Sequence, residues 1–404
     1  MHANVTSSFD TSALKPAAEK SAQAGAVSTS VSTDPALHEA LVLHKALVAR
    51  DPQALAAAPV QDKVITFGIP CYNSADYMDR CITSLLEGSN YATDMHICIV
   101  DDGSTKDATS QKADEWAARY PDIISVVHQP NGGHGMAVLA ALSHARGKYF
   151  KIVDSDDWLQ AHALQALLSK LREFIANDEA VDLVITNYVF EHVLDGKQNV
   201  VDFRYALPRE RIICWDQIGH FMMTQNLLMH SLCYRTDVLL DGGLPMPAHT
   251  FYVDNIYAYV PLPRCKRLYY LDVDLYRYFI GREDQSINES VAISRIDQQL
   301  VVTRIMMHAY HLNDDIACVK LRNYMCNHFT LMMAVCSVYS RMSDKPDAMA
   351  NLQALWDELK AYDEYMYKRA RRGAFGVATN LPTKAGVKTT IYIYRIAQKL
   401  YKFN

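Results

Sequence analysis

Lys151-Ile152-Val153-Asp154-Ser155-Asp156-Asp157-Trp158 reads as an apolar strand running into closely spaced carboxylates. Hard divalent cations take oxygen ligands, and Mg²⁺ commonly holds one or two carboxylates together with substrate phosphates. Such a strand end therefore suits a metal that carries a phosphorylated substrate. In an extended terminus Asp154 and Asp156 point to a common side, whereas Asp157 points elsewhere unless the chain turns and is a candidate cap for the next helix. Taken alone, the run equally suits a solvated loop, so the flanking sequence decides.

Outward from this run, short apolar segments alternate with longer amphipathic ones. Strands are expected at 64–69, 95–100, 123–127, 149–153 and 181–185, and helices at 75–86, 106–119, 137–145 and 161–174. Strands separated by helices of this length require crossover connections, which predicts an α/β fold with a mainly parallel central sheet. Ligands of such sheets gather at the carboxyl ends of the strands. Pro70–Ser74, Asp101–Thr105 and Asp154–Asp157 follow the first, second and fourth strands and should share one rim, with Asn131–Gly135 on the way to the fourth.

The remaining chain adds parts around that core. Residues 1–60 read as a disordered or partly helical extension, with a helix at 37–48 after Pro35, because their small residues bury too little surface to offset ordering entropy. Residues 61–290 form the expected main domain, divided into 61–187 and 188–290, with a hairpin around Asp195-Gly196. Residues 291–404 are expected to be a helical C-terminal region, broken near Ser343–Pro346 and able to join two copies of the chain. Its last part, 361–404, has nine Lys or Arg against two Asp or Glu, interleaved with Tyr392, Tyr394, Ile391, Ile393, Ile396 and Leu400. That pattern suits an anionic membrane surface, and equally a helix docked on the protein.

At 404 residues and 50% hydrophobic, the chain can bury a full core. A net charge of −5 gives no reason to expect nucleic acid as a partner. The nine cysteines form no C-x-x-C pair or compact disulfide pattern, which fits a reducing cytoplasm. The start lacks a charged and apolar leader, and the apolar stretch 329–339 is too short to span a bilayer. The expectation is a cytoplasmic protein, soluble or peripheral on the cytoplasmic face of a membrane.

Val100-Asp101-Asp102-Gly103-Ser104-Thr105 places two carboxylates at a strand end, a glycine for a tight turn, and hydroxyls that can cap the next helix. A carboxylate there can accept from a ring N–H or a sugar hydroxyl. His134, in the glycine turn, is a candidate donor to a diphosphate, or an incidental residue of that turn. Cys71 has no sequence partner that specifies nucleophilic catalysis, and His220, His230 and His249 show no zinc spacing.

In order and spacing, Ile69-Pro70-Cys71-Tyr72-Asn73, Val100-Asp101-Asp102-Gly103-Ser104, Asn131-Gly132-Gly133-His134-Gly135 and Val153-Asp154-Ser155-Asp156-Asp157 resemble the catalytic domain of family 2 glycosyltransferases. These are inverting enzymes of the GT-A nucleotide-diphospho-sugar transferase fold. The resemblance runs from about residue 64 to 187 and implies that Pro70, Tyr72 and Asn73 lie at the nucleotide, with Tyr72 near the base. It implies a carboxylate of Asp101 or Asp102 on the base or ribose, Gly133 and His134 at the diphosphate, and Asp154 with Ser155 on the ribose side. Asp156 corresponds to the ligand of a Mn²⁺ or Mg²⁺ ion beneath the diphosphate. Asp254 resembles the family's acidic residue at a helix start and is the candidate base, with Asp216 and Asp241 as other candidates and helix capping as its plain alternative. Arg282, Gln285 and Ser286 resemble a loop that closes over the donor, or form an ordinary charged turn. The family often has Ala-Arg-Asn after its glycine motif; Met136-Ala137-Val138 stands here, so this helix offers no basic contact to the sugar phosphate.

The resemblance implies transfer of a sugar from a nucleotide diphosphate sugar, UDP-linked in the leading expectation, to a glycan, lipid-linked or protein acceptor. Two alternatives remain at this point. One is a sugar nucleotidyltransferase, although Pro70-Cys71-Tyr72-Asn73 supplies none of the basic residues common after the first strand of that class. The other is a non-catalytic nucleotide-sugar-binding scaffold.

Overall fold

The computed structural model describes residues 61–87, 94–193, 196–222, 225–281, 288–381 and 383–401. The expected helix at 37–48, Asp195 of the hairpin turn, and Arg282, Gln285 and Ser286 lie outside them. The described residues cluster into two compact units, one up to Ala180 with Cys233–Thr250, the other Val181–Leu232 with the chain from Phe251 onward.

In the first unit the chain runs β1 (Lys63–Cys71), α1 (Met78–Glu87), β2 (Met95–Asp101), α2 (Thr109–Arg119), β3 (Ile124–His128), α3 (His134–Ser143), β4 (Gly147–Ile152), β5 (Trp158–Leu159) and α4 (Ala161–Ala176). Strands β3-β2-β1-β4 are neighbours in that order and all parallel, with Cys71 opposite Asp101 and Gly68 opposite Ile152. Tyr234 and Arg235 of a short returning strand pair antiparallel with β4. From Ile65 onward β1 is buried at every position, the mark of a strand covered on both faces. Two glycines permit its neighbours to approach. A Cβ on Gly68 would lie 2.8 Å from that of Ala141 on α3, and one on Gly147 would lie 2.2 Å from the Ile65 carbonyl carbon.

The second unit pairs β6 (Leu183–His192) in parallel with β9 (Leu268–Ile280), and adds β7 (Lys197–Val201) and β8 (Ile212–Ile213) antiparallel to them. Strand β9 is long, running from Leu268 through Leu275–Ile280. Its register with β6 shifts between Tyr270 and Asp274, where the Asn187 amide donates to Asp272 and Asp274, both at 2.9 Å. After α5 (Asp254–Tyr259) come α6 (Glu289–Ser294), α7 (Ile296–Ala309), a single turn at Leu312–Asp315, α8 (Val319–Met342), α9 (Ala348–Tyr362), α10 (Glu364–Arg372), α11 (Ala374–Thr379) and α12 (Thr383–Tyr401). The break expected at Ser343–Pro346 falls between α8 and α9. Arg304 and His308 of α7 both reach Glu358 of α9, each at 2.7 Å. Among the described residues no helix is long and apolar enough to cross a membrane. All nine cysteines are free thiols.

Candidate functional site

In the first unit the strand order reverses between β1, from which the chain proceeds outward to β2 and β3, and β4 on its other side. A crevice outside the carboxyl ends of the strands at such a reversal is where open α/β sheets bind ligands. The segment after β1, residues 72–74, and the segment after β4, Val153–Asp157, flank it, and the loop after β2 lies on the same rim.

These loops are fastened to one another. Asn73, held at φ 51°, accepts the backbone N–H groups of Thr105 (3.2 Å) and Lys106 (3.0 Å), while its own N–H donates to Ser104 Oγ at 2.9 Å. Ser104 therefore joins two loops and does not cap α2. That helix begins at Thr109, whose N–H donates to Asp107 Oδ1 at 3.0 Å. Tyr72 stands half exposed beside this clamp. Pro70 is part of β1 itself, in register with Val100 of β2.

Asp101 and Asp102 are both buried, and they have different partners. Asp102 accepts from Gln129 Nε2 (2.6 Å), Gly132 N (2.8 Å) and Gly133 N (2.8 Å), so its carboxylate ties down the glycine turn. Asp101 accepts the Ser104 N–H at 3.0 Å and faces His128 Nδ1 at 3.0 Å. His128 in turn lies 3.0 Å from Asp114. Burial pulls this imidazole down, but hydrogen bonds to Asp101 and Asp114 outweigh it and hold its pKa above the ordinary value. Gly103 and Gly133 take φ of +70° and +85°, where side chains are strained. Added Cβ atoms there would also meet Asn131 N at 2.7 Å and His249 N at 2.9 Å.

Past Ile152 the acidic run is a turn, with Asp157 N–H donating to the Asp154 carbonyl at 3.0 Å, so the alternation expected of an extended terminus does not apply. Asp157 is buried and does not cap α4; Gln160 does, accepting the Ala163 N–H at 2.7 Å. Asp154, Ser155 and Asp156 are partly exposed. His134, the first residue of α3, places Nε2 2.9 Å from Asp154 Oδ1, joining the glycine turn to the acidic turn. The donor set here is oxygen from carboxylates that reach solvent, which fits a hard divalent cation better than a soft one.

Lys151 sits within the quoted run and is wholly buried. Burial lowers its ammonium pKa to about 8, opposed by the negative charge of Asp154. The apolar run around it disguised it in the sequence. His128 and Gln129 had one legible signal, a polar pair directly after the third strand.

In the second unit Asp254 opens α5 without a side-chain cap on the preceding residue. Asn255 Nδ2 lies 3.1 Å from the Tyr252 carbonyl and 3.4 Å from Asp254 Oδ1. Tyr252 has φ 66°, and burial raises its phenol pKa to about 12. Arg295 stacks over Phe251 at 3.6 Å.

Residues 66–230 match the family model described as glycosyl transferase family 2. Over 135 residues the chain is 33% identical to chondroitin synthase of Pasteurella multocida (strain Pm70), covering 32% of this chain and 13% of that protein. It is 23% identical over 334 residues to the uncharacterized glycosyltransferase YibD of Escherichia coli (strain K12), covering 82% and 91% of the two chains. The crystal structure of S. aureus TarS 1-349 in complex with UDP-GlcNAc aligns over 83% of this chain and 92% of that one, with a TM-score of 0.56 and 17% identity. This is a likeness of fold, and the fold is the α/β arrangement with C-terminal helices described above.

Proposed function

We propose that the chain, whose residues 66–230 match glycosyl transferase family 2, moves a sugar from a nucleoside diphosphate donor to a glycan acceptor with inversion at the anomeric carbon. The observation that carries this reading is the reversal point of the first unit, where Tyr72 and the Asp154–Asp156 turn flank one crevice above four parallel strands. Relatives named as polysaccharide synthases support a glycan as acceptor, lipid-linked or free. A UDP-linked donor is the first to test.

Asp156, with Asp154, would hold a Mn²⁺ or Mg²⁺ ion, which supplies neutralisation of the charge that develops on the departing diphosphate oxygen. The other roles fall to the chain. Tyr72 offers a ring face to the nucleotide base, and Asp101 an acceptor edge to base or ribose. Asp102 holds Gly132 and Gly133 so that the turn before α3 keeps its shape around the diphosphate. His134, steadied by Asp154, would hydrogen-bond a phosphate oxygen of the donor. Asp254 accepts the proton of the attacking acceptor hydroxyl, as a carboxylate base does when within hydrogen-bond reach in the reacting complex. One base and one displacement invert the centre. Arg282 and Ser286 are proposed to close over the donor, on the resemblance alone.

Product analysis tests the reading. Incubation with a nucleotide-sugar panel, a divalent ion and an acceptor pool should release nucleoside diphosphate. Release of pyrophosphate would instead assign nucleotidyl transfer, and saturable donor binding without turnover of any acceptor would assign a binding protein.

A further inference from the structure

The C-terminal helices of the second unit enclose a polar cavity that the proposed reaction does not use. Residues of α8, α9, α10 and Asn380 surround a volume of about 110 Å³, against the ~10–15 Å³ that a single water occupies on the same measure. Two guanidinium groups line it, Arg341 from α8 and Arg371 from α10, together with Trp356 of α9. Burial, and then the charge of Arg371, holds Arg341 below the ordinary arginine value. The two cations thus share the cavity at an electrostatic cost.

Their donors are only partly used by the chain. Arg341 Nη1 donates to the Ser337 carbonyl at 3.0 Å, and Arg371 Nη1 lies 3.5 and 3.4 Å from the carbonyls of Gly376 and Asn380. Arg341 Nε and Trp356 Nε1 are buried, and neither meets an acceptor among the described residues. Trp356 itself is 4% exposed, and the Arg371 guanidinium carbon stands 5.3 Å from its ring centroid. The lining includes one carboxylate, Asp357, which is exposed and engaged by the Gln353 amide at 3.0 Å. A buried donor left without an acceptor costs about 1–3 kcal/mol, and guanidinium forks match the oxygens of phosphate and carboxylate. Two cations and an indole N–H, contributed by three different helices, suit a compact, multiply charged anion better than a flat monocarboxylate.

We propose that the cavity bounded by Arg341, Trp356 and Arg371 binds a phosphate-class oxyanion, either free phosphate or the phosphomonoester head of a lipid. The site lies at the start of the basic segment 361–404, so a lipid source would bring that segment to an anionic surface.

The test uses the full chain in buffer free of phosphate and sulfate. Inorganic phosphate is titrated while tryptophan fluorescence and the melting temperature are followed, and vesicles of phosphatidylcholine with or without phosphatidic acid are floated in parallel. The expected result is a saturable response, weakened roughly tenfold or more in Arg341→Met, the loss of one charge-assisted contact. Trp356→Phe keeps the ring shape, removes the N–H, and should abolish the fluorescence change and weaken the thermal shift. Without anion, Arg341→Met should melt at or above the wild-type temperature, because it removes an unpaired buried donor and a like-charge contact. A phosphate response without phosphatidic-acid flotation identifies a soluble ligand, and Arg341-dependent flotation a lipid one. The proposal is overturned by no saturable response to either probe, by equal responses in wild type and Arg341→Met, or by a marked fall in melting temperature of Arg341→Met without anion.

Discussion

Asp102→Asn isolates the way the acidic pair is used. The wild-type carboxylate is 3% exposed and accepts three hydrogen bonds, from Gln129 Nε2, Gly132 N and Gly133 N, at 2.6 to 2.8 Å. An asparagine retains one acceptor oxygen and turns the other position into a donor facing a donor. If its oxygen takes the side of Gln129 and Gly132, the Gly133 N–H is orphaned; turned over, it leaves the other two without an acceptor. Loss of one bond to a charged group amounts to about 1.5–3 kcal/mol, and a domain of this size moves by about 2–4 °C per kcal/mol. The melting temperature should therefore fall by roughly 3–12 °C. Amide exchange should accelerate at Gly132 and Gly133 before it does in β1. A variant with unchanged melting temperature and unchanged protection at both glycines would refute the anchoring role; loss of nucleotide binding in that same variant would move Asp102 to the ligand.

Three further outcomes follow from the same geometry. Gly133→Ala, at φ +85° with His249 backbone 2.9 Å from the new Cβ, should lower stability by about 1–3 kcal/mol in denaturant titration; a midpoint equal to wild type would show that the turn relaxes freely. The His128 pKa is raised in the folded state, so its contribution is fully present below the unfolded value of ~6.5 and is lost as pH rises through the folded one. The melting-temperature gap between wild type and His128→Gln should accordingly be wider at acidic than at alkaline pH, and a gap independent of pH would contradict the Asp101–His128–Asp114 bridge. Asp254→Asn should reduce kcat by on the order of 10²-fold or more with donor KM nearly unchanged. A raised donor KM with normal kcat would assign Asp254 to donor binding.

The parallel core was legible because a buried strand in a crossover sheet has to be an apolar run, as 64–69 and 95–100 are, and the helices between them carry a different period. The rim was legible for a related reason: polar clusters directly after such strands have few other places to be. What the sequence hid was the partner of each polar group. Asp101 and Asp102 are adjacent in sequence, yet one faces His128 and the other the glycine turn, a division set by tertiary approach. Ser104 looked like a cap and is a clip, since the Asn73 N–H reaches it from the loop after β1. Asp157 looked like a cap for α4, but the turn closed by its N–H places Gln160 at the helix start instead. The pair Arg341 and Trp356, fifteen positions apart on different helices, has no periodic signature at all.

The central claim is that the acidic turn after β4 holds the diphosphate of a nucleotide through a divalent ion. Calorimetric titration of UDP into the protein, with and without Mn²⁺, tests it most directly, with Asp156→Asn as the comparison and circular dichroism to establish that the variant folds. The account predicts saturable binding that requires the ion and is weakened by on the order of tenfold or more in Asp156→Asn. Equal affinity in a folded Asp156→Asn variant, or binding indifferent to the ion, would contradict it.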